Sequence, residues 1–465
     1  MANILHLGRV HWPIAVAAPF LALGVLGPFG ARPASAIPAF AVQTGQKCAA
    51  CHVGGFGPQL TPFGRAFKIG GYTLRTKPFN LPVAAMVVAS DTSTNRPLPA
   101  PAADGFATNN NLALDQISIF LGGGVGSHFG GFVQTTYDGV SEAWSWDNLD
   151  LRAVNTGKIG DKDLVYGLSL NNNPIVTDGW NTLPAWGYPY TGSALAPSPA
   201  ASPLVAGGLA QNVIGLNAYA WLDSKFYLEV GGYSSPKAGT LRWLGADPFS
   251  PGDIVGLAPY GRIAISQNIL GGEAEVGAFA LKAKIRPGRD RSTGLSDHYS
   301  DIGVDASWIK SIGSSDTVTV NGRYTHERRS LLASCALGMA DGSIALGPLS
   351  DCSGGSLSEV RGDISYYWRN KIGATVSAFK LTGSPNPAIY QNSPVARPDS
   401  TGLLLQLDAT PFSGPSSPFG QRFAARVGIQ YTAYSQFDGA SSNYDGTGRN
   451  ASDNNTVRVF SWIAF

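Results

Sequence analysis

The sequence predicts an all-β protein, a transmembrane β-barrel of about 16 antiparallel strands preceded by a short N-terminal segment. Three observations predict it. Charged residues are only 14% of the chain, against about 25% in an ordinary soluble domain, yet mean hydropathy is +0.01, so no long apolar run replaces them. Glycine is 58 of 465 residues, and aromatic residues are 10%. From about residue 81 onward, segments of roughly ten residues alternate polar and apolar side chains between turn clusters. Disorder is excluded by the aromatic content, and a net charge of +2 excludes binding of nucleic acid or another polyanion as the main function.

Residues 1–36 read as a cleaved secretory signal: Arg9 opens it, apolar residues run from Ile14 to Leu26, and Ala34-Ser35-Ala36 offers a cleavage site. Pro19, Gly24 and Pro28 interrupt the run, which argues against a permanent anchor. No later segment has the roughly 18 consecutive apolar residues of a spanning helix. The mature chain divides into a segment at 37–80 and a repetitive strand region at 81–465.

In the second region the alternation is clean at 301–308, where Asp301, Gly303, Asp305 and Ser307 interleave with Ile302, Val304, Ala306 and Trp308. It recurs at 359–369 and 425–432, and a period of two puts each set on one face of a sheet. The connections separate a barrel from a sandwich. Short turns near 124–128, 158–161, 223–225, 268–271, 311–314, 370–371 and 411–421 alternate with long loops near 95–111, 139–147, 173–209, 235–257, 285–297, 329–356, 382–398 and 435–454. That gives an even strand number with all long loops on one side, as outer-membrane barrels have. The last strand, 456–465, ends in Phe465 and resembles the assembly signal of bacterial outer-membrane barrels.

The first region carries the chemistry. Cys48-Ala49-Ala50-Cys51-His52 is a C-x-x-C-H run, in which two thiols can add to the two vinyl groups of one haem while the imidazole falls under the iron. With 4 Cys and 6 His in the chain, chance yields such a run in roughly 3 of 10,000 cases. A disulfide, a redox dithiol or half a zinc site are the alternatives. Zinc needs further ligands nearby, and a thioredoxin-like pair needs a βαβ context; the sequence offers neither. Downstream, Thr61 can cap a helix beginning at Pro62 and ending at Gly70, with Phe63 and Phe67 on one face to lie against a porphyrin or simply pack on the barrel.

His52 is then the proximal ligand of one covalently attached haem c. Met86 and Met339 are the methionines left after signal removal, and Met86 is the candidate sixth ligand, since His/Met ligation raises the potential. Its alternative is plain packing. His128, His298 and His326 fall in a short turn or near the loop rim. Cys335 and Cys352, in one long loop of an exported chain, read as a disulfide. The loop at 173–209 carries Trp180, Trp186, Tyr188 and Tyr190, which read most simply as a rim cluster and alternatively as a route toward the haem. Asp138, Glu142 and Asp147 read as loop carboxylates that collect cations or merely solvate the loop. A segment as short as 37–80 cannot bury a haem unaided, so the expectation is that it docks into the periplasmic end of the barrel, whose wall completes the pocket.

The signal, the run from Pro38 through Phe40, Gln43, Thr44 and Gly45 to Cys48, Cys51 and His52, the run Leu60-Thr61-Pro62-Phe63-Gly64-Arg65-Ala66-Phe67-Lys68 and the porin-like remainder together resemble the fused outer-membrane monohaem cytochrome c–porins of iron-oxidising bacteria. Val42 stands where that pattern has a basic residue. The resemblance implies an outer-membrane cytochrome that carries electrons from an extracellular donor, Fe(II) in the best-known members, to a periplasmic carrier such as a soluble cytochrome or copper protein. The other reading is a porin-like solute channel with a redox-sensing haem. The chemistry, an oxidoreductase at most, needs no catalytic acid, base or nucleophile.

Overall fold

The computed structural model describes residues 38–76, 83–344, 348–390, 393–412, 419 and 423–465; the signal sequence lies outside these. Seventeen strand segments form one sheet that closes on itself. They are β1 (Val83–Thr94), β2 (Asn111–Val125), β3 (Phe129–Asp138), β4 (Ala143–Ile159), β5 (Lys162–Asn171), β6 (Ile214–Leu222), β7 (Phe226–Ser234), β8 (Asp253–Ile254), β9 (Ala258–Ile269), β10 (Gly272–Arg286), β11 (Asp297–Ile312), β12 (Asp316–Ser330), β13 (Gly354–Trp368), β14 (Ile372–Gly383), β15 (Ser400–Ala409), β16 (Ala424–Gln436) and β17 (Thr456–Ala464). The two residues of β8 extend β9 along β10, through Ile254 opposite Ile285, so the wall has 16 strands. Every pairing is antiparallel, and β17 closes on β1 with Met86 opposite Ala464 and Thr94 opposite Thr456.

Closure satisfies the backbone of every wall strand within the sheet, the condition for lying in hydrocarbon. The side chains match. Asp301, Asp305 and Ser307 of β11 are buried in the lumen, while Ile302 and Val304 between them are 56% and 49% exposed. Outward-facing Phe129, Phe226, Tyr366 and Trp368 sit at strand ends beside the short turns, where an aromatic girdle meets the membrane interface. The chain is an outer-membrane β-barrel.

The alternation of short and long connections holds with one correction. Residues 139–142 form a four-residue turn, not a long loop, because β4 starts at Ala143 and pairs with Asp138. Glycine at 139 explains it: a Cβ there would stand 2.0 Å from the Leu114 carbonyl oxygen, so only glycine lets the chain double back against β2. The carboxylates nearby do not share a loop. Asp138 ends β3, and Asp147 is a β4 wall residue that accepts from Thr136 and Asn148. The 410–423 connection lies partly outside the described residues.

The loop at 331–353 contains a helix at Leu332–Ala340 and is bridged by a disulfide between Cys335 and Cys352, whose Cα atoms are 5.8 Å apart.

Candidate functional site

The segment at 38–76 sits inside the lumen at the end where the short turns lie, as three short helices: α1 (Pro38–Thr44), α2 (Cys48–Cys51) and α3 (Pro62–Ile69). Helix α3 starts where the sequence places it, with the Thr61 hydroxyl accepting from the Gly64 amide at 3.2 Å, Pro62 at its first position, and Gly70 as its C-cap. The same hydroxyl donates to the Ala50 carbonyl at 2.5 Å, and the Thr61 amide donates to the Cys51 carbonyl at 2.9 Å. One residue thus ties α3 to the C-x-x-C turn. Gly64 makes that approach possible: a Cβ there would lie 2.3 Å from the Cys51 carbonyl oxygen.

The wall holds this plug through backbone acceptors. Thr410 donates to the Gly54 carbonyl at 2.7 Å, Tyr219 to Ile69 at 2.8 Å, and Arg152 to Lys68 at 3.1 Å. Tyr72 donates to Asp150 at 2.8 Å, and Arg65 pairs with Glu273 at 2.8 Å. Gln43 ties the plug's two ends together by donating to the Tyr72 and Leu74 carbonyls and accepting from the Gly124 amide. Fragments this short gain their fold from such contacts rather than from their own core.

From the long-loop side the 172–213 loop folds inward and meets the plug. Its Asn181 donates to the Pro58 carbonyl at 2.6 Å and accepts from Lys68 at 2.7 Å. Trp180 is 2% exposed, and Tyr188 is also buried, which corrects the expectation of a rim cluster. The loop is pinned across the lumen. Asp178 pairs with Arg262 at 3.3 Å, Thr182 donates to Asp305, and Arg458 donates to the Thr191 carbonyl.

Between plug, loop and wall lies a cavity of about 380 Å3, within the size range of small-molecule sites. Cys48, Cys51 and His52 line it together with Met86. Phe40, Phe67, Phe120, Phe132, Trp186, Tyr190 and Trp462 supply flat apolar walls. Met86 points inward from β1 because it shares parity with buried Ala84 and Val88, and its sulfur accepts from the Trp462 indole at 3.1 Å. Of the two helix phenylalanines, Phe67 lines the cavity, but Phe63, a turn earlier, is 38% exposed. The cavity-facing positions of α3 are Gly64, Phe67 and Lys68. Neither His128, His298, His326 nor Met339 borders it; His128 and His326 bond instead to the Val154 carbonyl and to Ser358.

The electrostatics narrow the chemistry. Burial, reinforced by the nearby Arg426 cation, pushes the His52 imidazole down to about 4, so it is neutral and has a lone pair to give. Its buried Nδ1 has no hydrogen-bond partner among the described residues. Burial raises both thiols, Cys51 to about 11, which disfavours the thiolate that a zinc site or a redox dithiol needs. Among the described residues no group of three or more His, Cys, Asp or Glu is arranged to hold a metal ion. A flat apolar cavity bordered by two neutral thiols, a neutral imidazole and a thioether fits a haem better than a bare metal.

No protein-family model and no curated protein matches the chain. Among solved structures it is similar to an anion-selective porin from Comamonas acidovorans, 12% identical, covering 83% of this chain and 99% of that one with a TM-score of 0.45. It is likewise similar to the outer-membrane channel DcaP of Acinetobacter baumannii, 11% identical over 83% and 97% with a TM-score of 0.45. OmpT of Vibrio cholerae, 8% identical over 84% and 98%, gives a TM-score of 0.40.

Proposed function

We propose that the protein is an outer-membrane c-type cytochrome, with one haem bound by thioether links to Cys48 and Cys51 and ligated by His52 and Met86. The observation that carries this reading is the convergence of those four residues, 38 positions apart at the extremes of the sequence run, on one aromatic-lined cavity inside the barrel. A bound haem would supply a one-electron Fe(III)/Fe(II) couple. The chain's own residues would do the rest. His52 stays neutral, Met86 is held by the Trp462 indole, which leaves sulfur lone-pair capacity for a metal, and the aromatic walls exclude water, which together favour a high potential. The half-buried C-x-x-C turn lies at the short-turn end, so the thioether edge would face a periplasmic electron carrier. The donor suggested by the resemblance is extracellular Fe(II). Met86→Ala should load haem but lower its midpoint potential and alter its low-spin spectrum; an unchanged spectrum and potential would remove Met86 from the ligand set.

The barrel architecture by itself favours the second reading, a solute channel. What weighs against an open pore is the filling of the lumen by both plug and inward loop. Purified protein in planar bilayers should therefore carry little current while oxidised protein in detergent is reduced by Fe(II). Steady porin-sized conductance with no Fe(II)-driven spectral change at several pH values would favour the channel instead.

A further inference from the structure

Lys68 is 4% exposed and borders the cavity, yet its ammonium has no carboxylate within ion-pair distance among the described residues. Its nitrogen donates to the Val176 carbonyl at 2.8 Å and to the Asn181 amide oxygen at 2.7 Å, and lies 5.2 Å from the Trp186 ring centre. Those contacts use two of three donors. The carboxylates that surround it at longer range are committed elsewhere: Asp150 to Arg152, Asp178 to Arg262, and Glu229 to Thr177, Asn217 and Tyr227. A buried ammonium is costly unless an anion accompanies it.

Cys48 packs against the apolar cluster of Met86, Phe120, Ala424 and Trp462, whereas Lys68 meets the cavity through polar contacts to Val176 and Asn181 of the inward loop. Gln134 and Asn148 also border the cavity, but their amides are spent on Ser118, Thr136 and Asp147. Among the described residues Asp147 is the one carboxylate that lines it, already bonded to Thr136 and Asn148. Lys47, the other cation on the lining, is exposed at the thioether end. A haem fixed by its vinyl edge at Cys48 and Cys51 carries its two carboxylates on the opposite edge.

We infer that Lys68 is the buried counter-charge of a haem propionate, so that the third N–H of its ammonium anchors the propionate edge and its charge raises the reduction potential. This rests on the proposed haem. Removing the cation favours the oxidised, more positive state, so the sign is fixed.

The test compares full-length wild type, Lys68→Met and Lys68→Arg, each expressed with haem-attachment machinery. Haem content is read from the alkaline pyridine spectrum, and the potential from a redox titration. We expect K68M to carry haem but to shift the oxidised-to-reduced ratio at fixed potential at least tenfold toward oxidised, 59 mV for one electron, while K68R stays within threefold of wild type. Should K68M fail to reach the membrane, K68Q takes its place with the same expectation. An unchanged potential in the neutral variant overturns the inference, as does an equal shift, or equal loss of haem, in the arginine variant. Wild type without any haem would leave nothing to titrate; that outcome overturns the proposed function itself and is recognised before any variant is made.

Discussion

Replacing Cys48 and Cys51 together by serine should give a protein that still folds as a heat-modifiable outer-membrane barrel but stains for no haem and shows no Fe(II)-driven spectral change. The barrel should survive because the two thiols contribute nothing to its closure: the wall is held by the strand ladder from β1 round to β17, and the plug by Thr61, Tyr72, Arg65 and Gln43. If the proposed function holds, redox activity should vanish completely rather than partly, because without thioether links a plug too small for its own core would have only His52 and Met86 to hold the cofactor. Haem staining and ferrous titration of outer-membrane fractions read both halves. Haem that stays through denaturing electrophoresis in the double variant would mean that attachment uses other residues.

Arg262→Met should have the largest effect on the barrel itself. This guanidinium is fully buried between three carboxylates, Asp305 at 2.6 Å, Glu275 at 3.1 Å and Asp178 at 3.3 Å, and its central carbon lies 5.9 Å from the Trp180 ring centre. Asp178 in turn accepts from the Thr182 and Leu183 amides, so the inward course of the 172–213 loop depends on it. Taking the cation away leaves buried carboxylates uncompensated, at a cost of about 3–5 kcal/mol. The loop should leave the lumen, the temperature of gel-shift unfolding should fall, and current through planar bilayers should rise severalfold over wild type. An unchanged conductance together with unchanged heat stability would show that the loop is held without Arg262.

Much of this architecture is legible in the sequence because a period of two is enforced twice, by lipid outside and by a polar lumen inside; Asp301 to Trp308 sort onto the two faces without exception. The turn at 139–142 is less legible: Trp144-Ser145-Trp146-Asp147 does alternate as a strand would, but over only four residues beside Gly139, Ser141 and Glu142, and the glycine at 139 gives its reason only once Leu114 is seen beside it. The C-x-x-C-H run and the Thr61–Pro62 helix start are local patterns and stand out in the chain. The inward loop is different. Trp180, Trp186 and Tyr190 carry no signal that tells a rim cluster from a cavity wall, because their place is set by Arg262, Lys68 and Arg152 on distant strands or on the plug. Met86 could be located only as an inward position of a first strand; its approach to Trp462 depends on the closure of β17 on β1. Lys68 is visible as part of a motif, yet the absence of a carboxylate beside it among the described residues is a property of the folded lumen alone.

Intact-mass analysis of the mature protein, extracted from outer membranes and denatured, tests the whole account most directly. The account predicts a single species heavier than the polypeptide by one haem, with the extra mass mapping to the peptide that contains Cys48, Cys51 and His52. A mature chain of unmodified mass, with both sulfurs alkylated quantitatively by iodoacetamide, would contradict it.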